Sequence, residues 1–263
     1  MRAVSAAMLV ALALLLPETA HAQAANNRAL QDFAFRPHPG AALPLSAPLV
    51  DEQNRKVSLG QFFTGRPVVL VLDYLRCKTL CGLTLEGVIA GLDALPLDAE
   101  RDFEMLAVSI DSRDGPAELA AAKAKYLAGY HHPGGSAGIH FLGGSAEAVR
   151  RIADSVGFPY RYDRDLDQYI HPAGFVVAAP DGTISRYLLG VGASSSELSA
   201  AIADARQGQA IGPLTRILLL CHIQGLPLGR WTVPILAAFT IANLGAMAGL
   251  VAIFAAIRRR RAG

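Results

Sequence analysis

The chain has 263 residues, with 24 Lys and Arg against 22 Asp and Glu, for a formal net charge of +2. That near-balance, with no basic stripe through the middle, excludes a nucleic-acid-binding protein. Charged residues make up only 17% and apolar ones 52%, which points to a membrane component beside one domain of ordinary size.

Arg2 supplies a small positive region, residues 3–16 are apolar, and Ala20-His21-Ala22 follows as a small-x-small pattern. Residues 1–22 therefore read as a secretory signal peptide. The apolar run is shorter than the roughly 20 residues a spanning helix needs. Residues 23–44, rich in Ala, Asn and Pro, read as a flexible leader. The folded domain is expected over residues 45–208.

Val68 to Leu75 is a continuous apolar run, which predicts a strand buried on both faces. Cys77 and Cys81 follow it directly. Leu85, Val88, Ile89 and Leu92 then recur at helical spacing. Phe103 to Ile110 predicts a second buried strand, and Gly115-Pro116 opens another helix. Residues 131–138 form a loop of His, Pro, Gly and Ser. Ile139 to Leu142 predicts a short strand, and Val149, Ile152, Ala153 and Val156 mark the next helix. Phe175 to Ala179 and Thr183 to Leu189 flank the turn Pro180-Asp181-Gly182 as a hairpin. Ser195 or Ser196 is expected to cap a last helix, which Gly208 ends. This alternation predicts an α/β fold: a thioredoxin-like mixed central sheet flanked by helices.

Residues 209–231 read as a juxtamembrane linker. Thr232 to Ile257 carries no charge and is long enough to span a bilayer as one C-terminal transmembrane helix. Arg258 to Arg261, in a basic tail of residues 258–263, mark the cytoplasmic side, and Trp231 stands where an interfacial aromatic belongs. The expected setting is the bacterial inner membrane, crossed once, with the globular domain in the periplasm. Gly245 and Gly249 form a small-xxx-small pair, a weak signal for a homodimer.

Cys77 and Cys81 fall at the end of a buried strand and the start of a helix, where open α/β sheets gather their reactive groups. A helix N-terminus favours a thiolate, and Arg76 and Lys78 flank Cys77. Spacing of four puts both sulfurs on one side of a helical turn. The pair can bind one soft metal ion, cycle as a redox disulfide, or serve as a structural bridge, and spacing alone does not choose. In thioredoxin-like folds the loop before the next strand carries a cis-proline facing the cysteines. By that resemblance Pro172 takes this role and His171 faces the sulfurs. Two thiolates and one imidazole suit copper, as Cu(I) or Cu(II).

Other candidates have blander readings. His131, His132 and His140 read as solvated groups in or beside a loop, with a metal role as the alternative, and His38 as solvated leader. Asp73, Asp111 and Asp114 read as caps and loop carboxylates, with electrostatic tuning of the site as the alternative. Cys221-His222 reads as a juxtamembrane turn with a buried thiol; the alternative is an auxiliary metal or redox site.

The segment Tyr74-Leu-Arg-Cys77-Lys-Thr-Leu-Cys81, then Val108-Ser-Ile-Asp111 with Arg113-Asp114-Gly115-Pro116, then His171 nine residues before Pro180, resembles the Sco/SenC family over roughly residues 45–208. That family comprises thioredoxin-fold copper-binding assembly factors of cytochrome c oxidase. The resemblance implies that Cys77, Cys81 and His171 are copper ligands. It implies a copper chaperone rather than an enzyme, with an oxidase subunit or another copper or thiol protein as partner. The alternative is a periplasmic thiol–disulfide oxidoreductase, with Cys77 attacking and Cys81 resolving. Two positions depart from the family pattern: Gly82 stands where Pro usually follows the second Cys, and Ile170 where Asp usually precedes the His. The family's usual anchor is N-terminal, whereas the span expected here is C-terminal.

Overall fold

A computed structural model describes residues 33–76, 82–208 and Asn243. Cys77, Cys81, the expected signal peptide, Cys221-His222, the expected membrane span and the basic tail lie outside the described residues. All regular elements belong to one compact unit, Asp32–His222. Among the described residues no helix is long and apolar enough to cross a membrane.

The unit is built on a seven-stranded mixed sheet, in the order β2-β1-β5-β4-β3-β8-β9. Its strands are β1 (Pro48–Asp51), β2 (Lys56–Ser58), β3 (Val68–Asp73), β4 (Glu104–Ser109), β5 (Ile139–Gly143), β8 (Gly174–Ala178) and β9 (Ile184–Leu189). A separate two-stranded hairpin pairs β6 (Arg161–Asp163) with β7 (Gln168–Ile170). The helices are α1 (Gly82–Asp93), α2 (Pro116–Leu127), α3 (Ala146–Ser155) and α4 (Ser195–Arg206).

β3, β4 and β5 run parallel at the centre, and β8 joins β3 antiparallel. The two-residue period of β3 divides its side chains between two cores. Val69 and Val71 face Leu85, Val88, Leu119 and Leu198 of α1, α2 and α4. Leu70 and Leu72 face Val149 and Ile152 of α3 on the other side. Both faces are therefore covered, and every β3 residue is buried. The fold is the mixed thioredoxin-like α/β arrangement that the order of elements implies.

Three details differ from the sequence expectation. First, the second half of the expected leader packs onto the domain. Phe35 and Leu43 are buried. Arg36 N–H donates to Gly157 O (2.8 Å) and Leu43 N–H to Gly182 O (2.9 Å). Two apolar anchors separated by a polar, Pro-containing stretch suffice to dock the segment. Second, the β6–β7 hairpin and the β1–β2 edge come from short, half-polar stretches that carry no apolar run. Third, α4 is capped by Ser194, whose hydroxyl accepts from Glu197 N–H (3.3 Å) while Glu197 accepts from Ser194 N–H (3.0 Å). This reciprocal pair satisfies two orphan donors of the helix start.

Candidate metal centre

His171 follows β7 by one residue and precedes β8, so the hairpin and the sheet fix it from both sides. Its side chain is only 6% exposed. Nδ1 lies 3.0 Å from Pro172 O. That contact assigns the proton to Nδ1, which donates to the carbonyl and leaves the Nε2 lone pair available. Nε2 is buried and makes no hydrogen bond among the described residues. The ring stacks on Phe158 at 5.5 Å between centroids. Burial pushes the His171 pKa below its usual value, against the opposing Pro172 hydrogen bond. A neutral imidazole with a free lone pair is the protonation state a metal requires.

Nε2 points at the carboxyl end of β3, where Asp73 Oδ1 is 3.6 Å away. Asp73 is 1% exposed and accepts a hydrogen bond from Tyr74 N–H (2.8 Å). Cys77 follows Asp73 by four residues. The fold thus brings His171 to the strand end from which the Cys77–Cys81 segment departs. Pro172 does not supply the expected cis bond: no cis peptide occurs among the described residues. The inward turn of the imidazole coincides instead with its contact to the Pro172 carbonyl.

The aspartates at the neighbouring strand end are not solvated loop groups, as sequence suggested. Asp111 and Asp114 are both buried. Arg76 Nε lies 2.6 Å from Asp114 Oδ1, and its Nη2 lies 3.3 Å from Asp111 Oδ2. Ser109 Oγ donates to Asp114 Oδ2 (2.6 Å). Arg113 grips Asp111 through Nε (2.8 Å) and Nη2 (2.7 Å). Burial works to raise the Asp111 pKa, but the Arg113 bonds and both guanidinium charges outweigh it and hold it below the usual range. For Asp114 burial wins, and its pKa is raised despite Ser109 and Arg76. The Arg76 charge beside Cys77 is therefore largely offset by two carboxylates.

Gly82 opens α1 directly after Cys81. A Cβ there would stand 2.7 Å from the Tyr126 hydroxyl, which reaches over from α2. Tyr126 is itself buried, stacked on Phe141 and covered by Lys125. The glycine accommodates this tyrosine, which accounts for its departure from the proline expected by family pattern. Sequence reading missed Tyr126 because the contact joins two helices.

Two histidines read as solvated are not. His132 Nε2 lies 2.8 Å from Leu95 O and Nδ1 3.2 Å from Asp98 Oδ1. His140 stands on β5 against the Phe62 ring, with Nε2 3.5 Å from Glu104 Oε2. Neither approaches a metal-binding set: among the described residues no group of three or more His, Cys, Asp and Glu side chains could hold a metal ion. His171 and Asp73 are two polar side chains facing each other at one strand end, one short of such a group.

Fold and site together define a thioredoxin-like protein with one buried histidine at the carboxyl end of its central strand, a strand that Cys77 and Cys81 follow in sequence. The SCO1/SenC family profile matches residues 46–207, more than half of the sequence, and the chain belongs to that family. A comparison with curated proteins finds no match. Among solved structures, a protein from Aquifex aeolicus VF5 classed provisionally with electron transfer aligns at 21% identity and a TM-score of 0.57, over 65% of this chain and 96% of its own. Copper-bound ScoI of Arabidopsis thaliana aligns at 18% identity and 0.50, over 65% and 99%. BsSco, described as a member of the Sco family of cytochrome c oxidase assembly proteins with a disulfide switch, aligns at 21% and 0.50, over 65% and 98%. At these identities the likeness speaks to the fold.

Proposed function

We propose that the chain is an exported copper carrier, held at the bacterial inner membrane by residues 232–257, that hands copper to a cytochrome c oxidase copper centre through Cys77, Cys81 and His171. The observation that carries this reading is the buried His171 Nε2, which has no hydrogen-bond partner among the described residues and is aimed at the strand end leading to Cys77. A polar atom desolvated without a partner costs on the order of 1–3 kcal/mol. Coordination would offset that cost. Copper is the cargo, and a set of two thiolates and one imidazole matches its softness. The Pro172 carbonyl keeps the proton on Nδ1, and Phe158 holds the ring plane. Acceptor thiols displacing one donor at a time would move the ion without releasing it to water. Copper-bound ScoI and the oxidase-assembly protein BsSco, both similar in fold, support this reading.

A second reading is a thiol–disulfide oxidoreductase that keeps an acceptor's cysteines reduced. It is favoured by the start of α1 at Gly82, immediately after Cys81. A helix N-terminus stabilises thiolate there. The deciding experiment is an anaerobic Cu(I) titration of the full reduced chain against a competing chelator. One tightly held copper, lost in Cys77→Ser, Cys81→Ser and His171→Ala, supports the carrier. Copper binding unchanged in His171→Ala overturns the three-donor site.

A further inference from the structure

The hairpin that delivers His171 stands apart from the main sheet, since among the described residues β6 and β7 pair only with each other. Something other than sheet hydrogen bonds must fix it. Part of the answer is aromatic: Tyr169 of β7 meets Tyr74 edge-on at 5.2 Å and Tyr162 of β6 at 5.2 Å. Another part is ionic. The Arg113 guanidinium lies over the Tyr162 ring, with Cζ 5.3 Å from its centroid. The same guanidinium grips Asp111, which is fully buried and also paired with Arg76. Tyr162 in turn donates to Asp167 across the hairpin.

We propose that Arg113 is a positioning residue that clasps the β6–β7 hairpin to the segment after β3, so that His171 and Arg76 are held in one frame. Its guanidinium has one edge on Asp111 and one face on Tyr162. Asp111 also pairs with Arg76, the residue bonded to Cys77. Tyr162 belongs to the hairpin that ends one residue before His171. The chain of contacts Arg76–Asp111–Arg113–Tyr162 therefore spans the two arms that carry the proposed donors. Arg suits this place because its planar fork can bind a carboxylate and stack on a ring at once, which an ammonium does less well. The bidentate Asp111 contact fixes the guanidinium plane, and the ring then has a defined surface to rest on. This inference deepens the copper reading and rests on it for its purpose, but the clasp itself is testable without metal.

The test uses the full chain in four forms: parent, Arg113→Ala, Arg113→Lys and Tyr162→Leu. The metal-free readout is the rate at which diethyl pyrocarbonate modifies His171, mapped by mass spectrometry, with circular dichroism to confirm the fold. With the clasp cut, the buried imidazole becomes accessible, and Arg113→Ala and Tyr162→Leu modify at least several-fold faster than the parent. Arg113→Lys falls between, because the charge over the ring is kept and the fork on Asp111 is lost. The metal readout is the Cu(I) titration. Loss of such an outer support weakens binding by roughly 10- to 100-fold. The loss does not add to that of His171→Ala when the two are combined, because the clasp acts through His171. Folded Arg113→Ala with His171 as protected as in the parent overturns the clasp. So does a copper defect that adds fully to that of His171→Ala. If the parent binds no copper while cutting the clasp still exposes His171, the clasp stands and the copper reading fails.

Discussion

His171 Nε2 and Asp73 Oδ1 face each other at 3.6 Å, with both side chains almost wholly buried. The carboxylate does not hold the imidazole protonated: burial dominates and pushes the His171 pKa below its ordinary value near 6.5. In the folded chain His171 stays neutral at a pH where the unfolded chain has begun to bind a proton. Between the two values the unfolded state carries more protons, so stability rises with pH. The contribution is intact above about pH 6.5 and is lost progressively as pH falls below it. The melting temperature of the metal-free chain is therefore expected to fall on acidification from pH 7 toward 5. The slope should be shallower in His171→Gln, which cannot take up the proton. Equal slopes would remove His171 from the account.

Gly82→Ala tests the contact between α1 and α2. The new methyl would meet the Tyr126 hydroxyl at 2.7 Å, whereas the next ring atom, Cζ, is an ordinary 3.7 Å away. Crowding of this kind costs about 1–3 kcal/mol. Tyr126→Phe removes the crowding atom. The double variant is expected to recover most of the loss, with a coupling of about 0.5–3 kcal/mol in urea unfolding. Purely additive effects would show that the hydroxyl is not what limits residue 82.

What sequence could and could not disclose follows from how locally each feature is encoded. β3 and β4 are legible because strands buried on both faces need unbroken apolar runs, and Val68–Asp73 and Glu104–Ser109 supply them. α1 is legible from the spacing of Leu85, Val88, Ile89 and Leu92. His171 is singled out by its distance from the turn at Pro180, a resemblance rather than a local signal. β6 and β7 are three residues each and half-buried, and their Tyr, Arg, Asp and Gln side chains carry no alternation to read. The burial of Asp111 and Asp114 depends on Arg76, over thirty residues away, and on Arg113. No window of sequence shows that a carboxylate will find a guanidinium across the sheet.

Arg76→Ala is expected to destabilise the chain through Asp114. The arginine is 42% exposed while the Asp114 side chain is fully buried. Removing one partner strands the other in a poorly solvated position, which for fully buried pairs costs about 3–5 kcal/mol. Solvent at Arg76 and the remaining Ser109 bond reduce this, so about 1–3 kcal/mol is expected in denaturant unfolding. Asp111 keeps Arg113 and should suffer less. Adding Asp114→Asn to Arg76→Ala removes the stranded charge and should recover part of the loss. A double variant weaker than either single one would argue that Arg76 acts on Asp111 instead.

The segment before residue 45 should matter to the site as well as to the fold. Phe35 packs edge-on against Phe158 at 5.2 Å and against Tyr187 at 5.9 Å. Phe158 is the ring on which His171 stacks. The Tyr187 hydroxyl accepts from His38 N–H (2.8 Å) and lies 3.2 Å from Val156 O, and burial pushes its pKa up to about 12. The segment is thus one wall behind the imidazole. Phe35→Ala removes a buried ring, a change that costs about 3–5 kcal/mol. It should also loosen Phe158 and make His171 more reactive toward diethyl pyrocarbonate. Phe35→Leu keeps most of the volume and should lose less than half as much stability. If Phe35→Ala melts near the parent temperature with His171 still protected, the segment is an accessory and the domain begins where composition alone would start it, at Leu45.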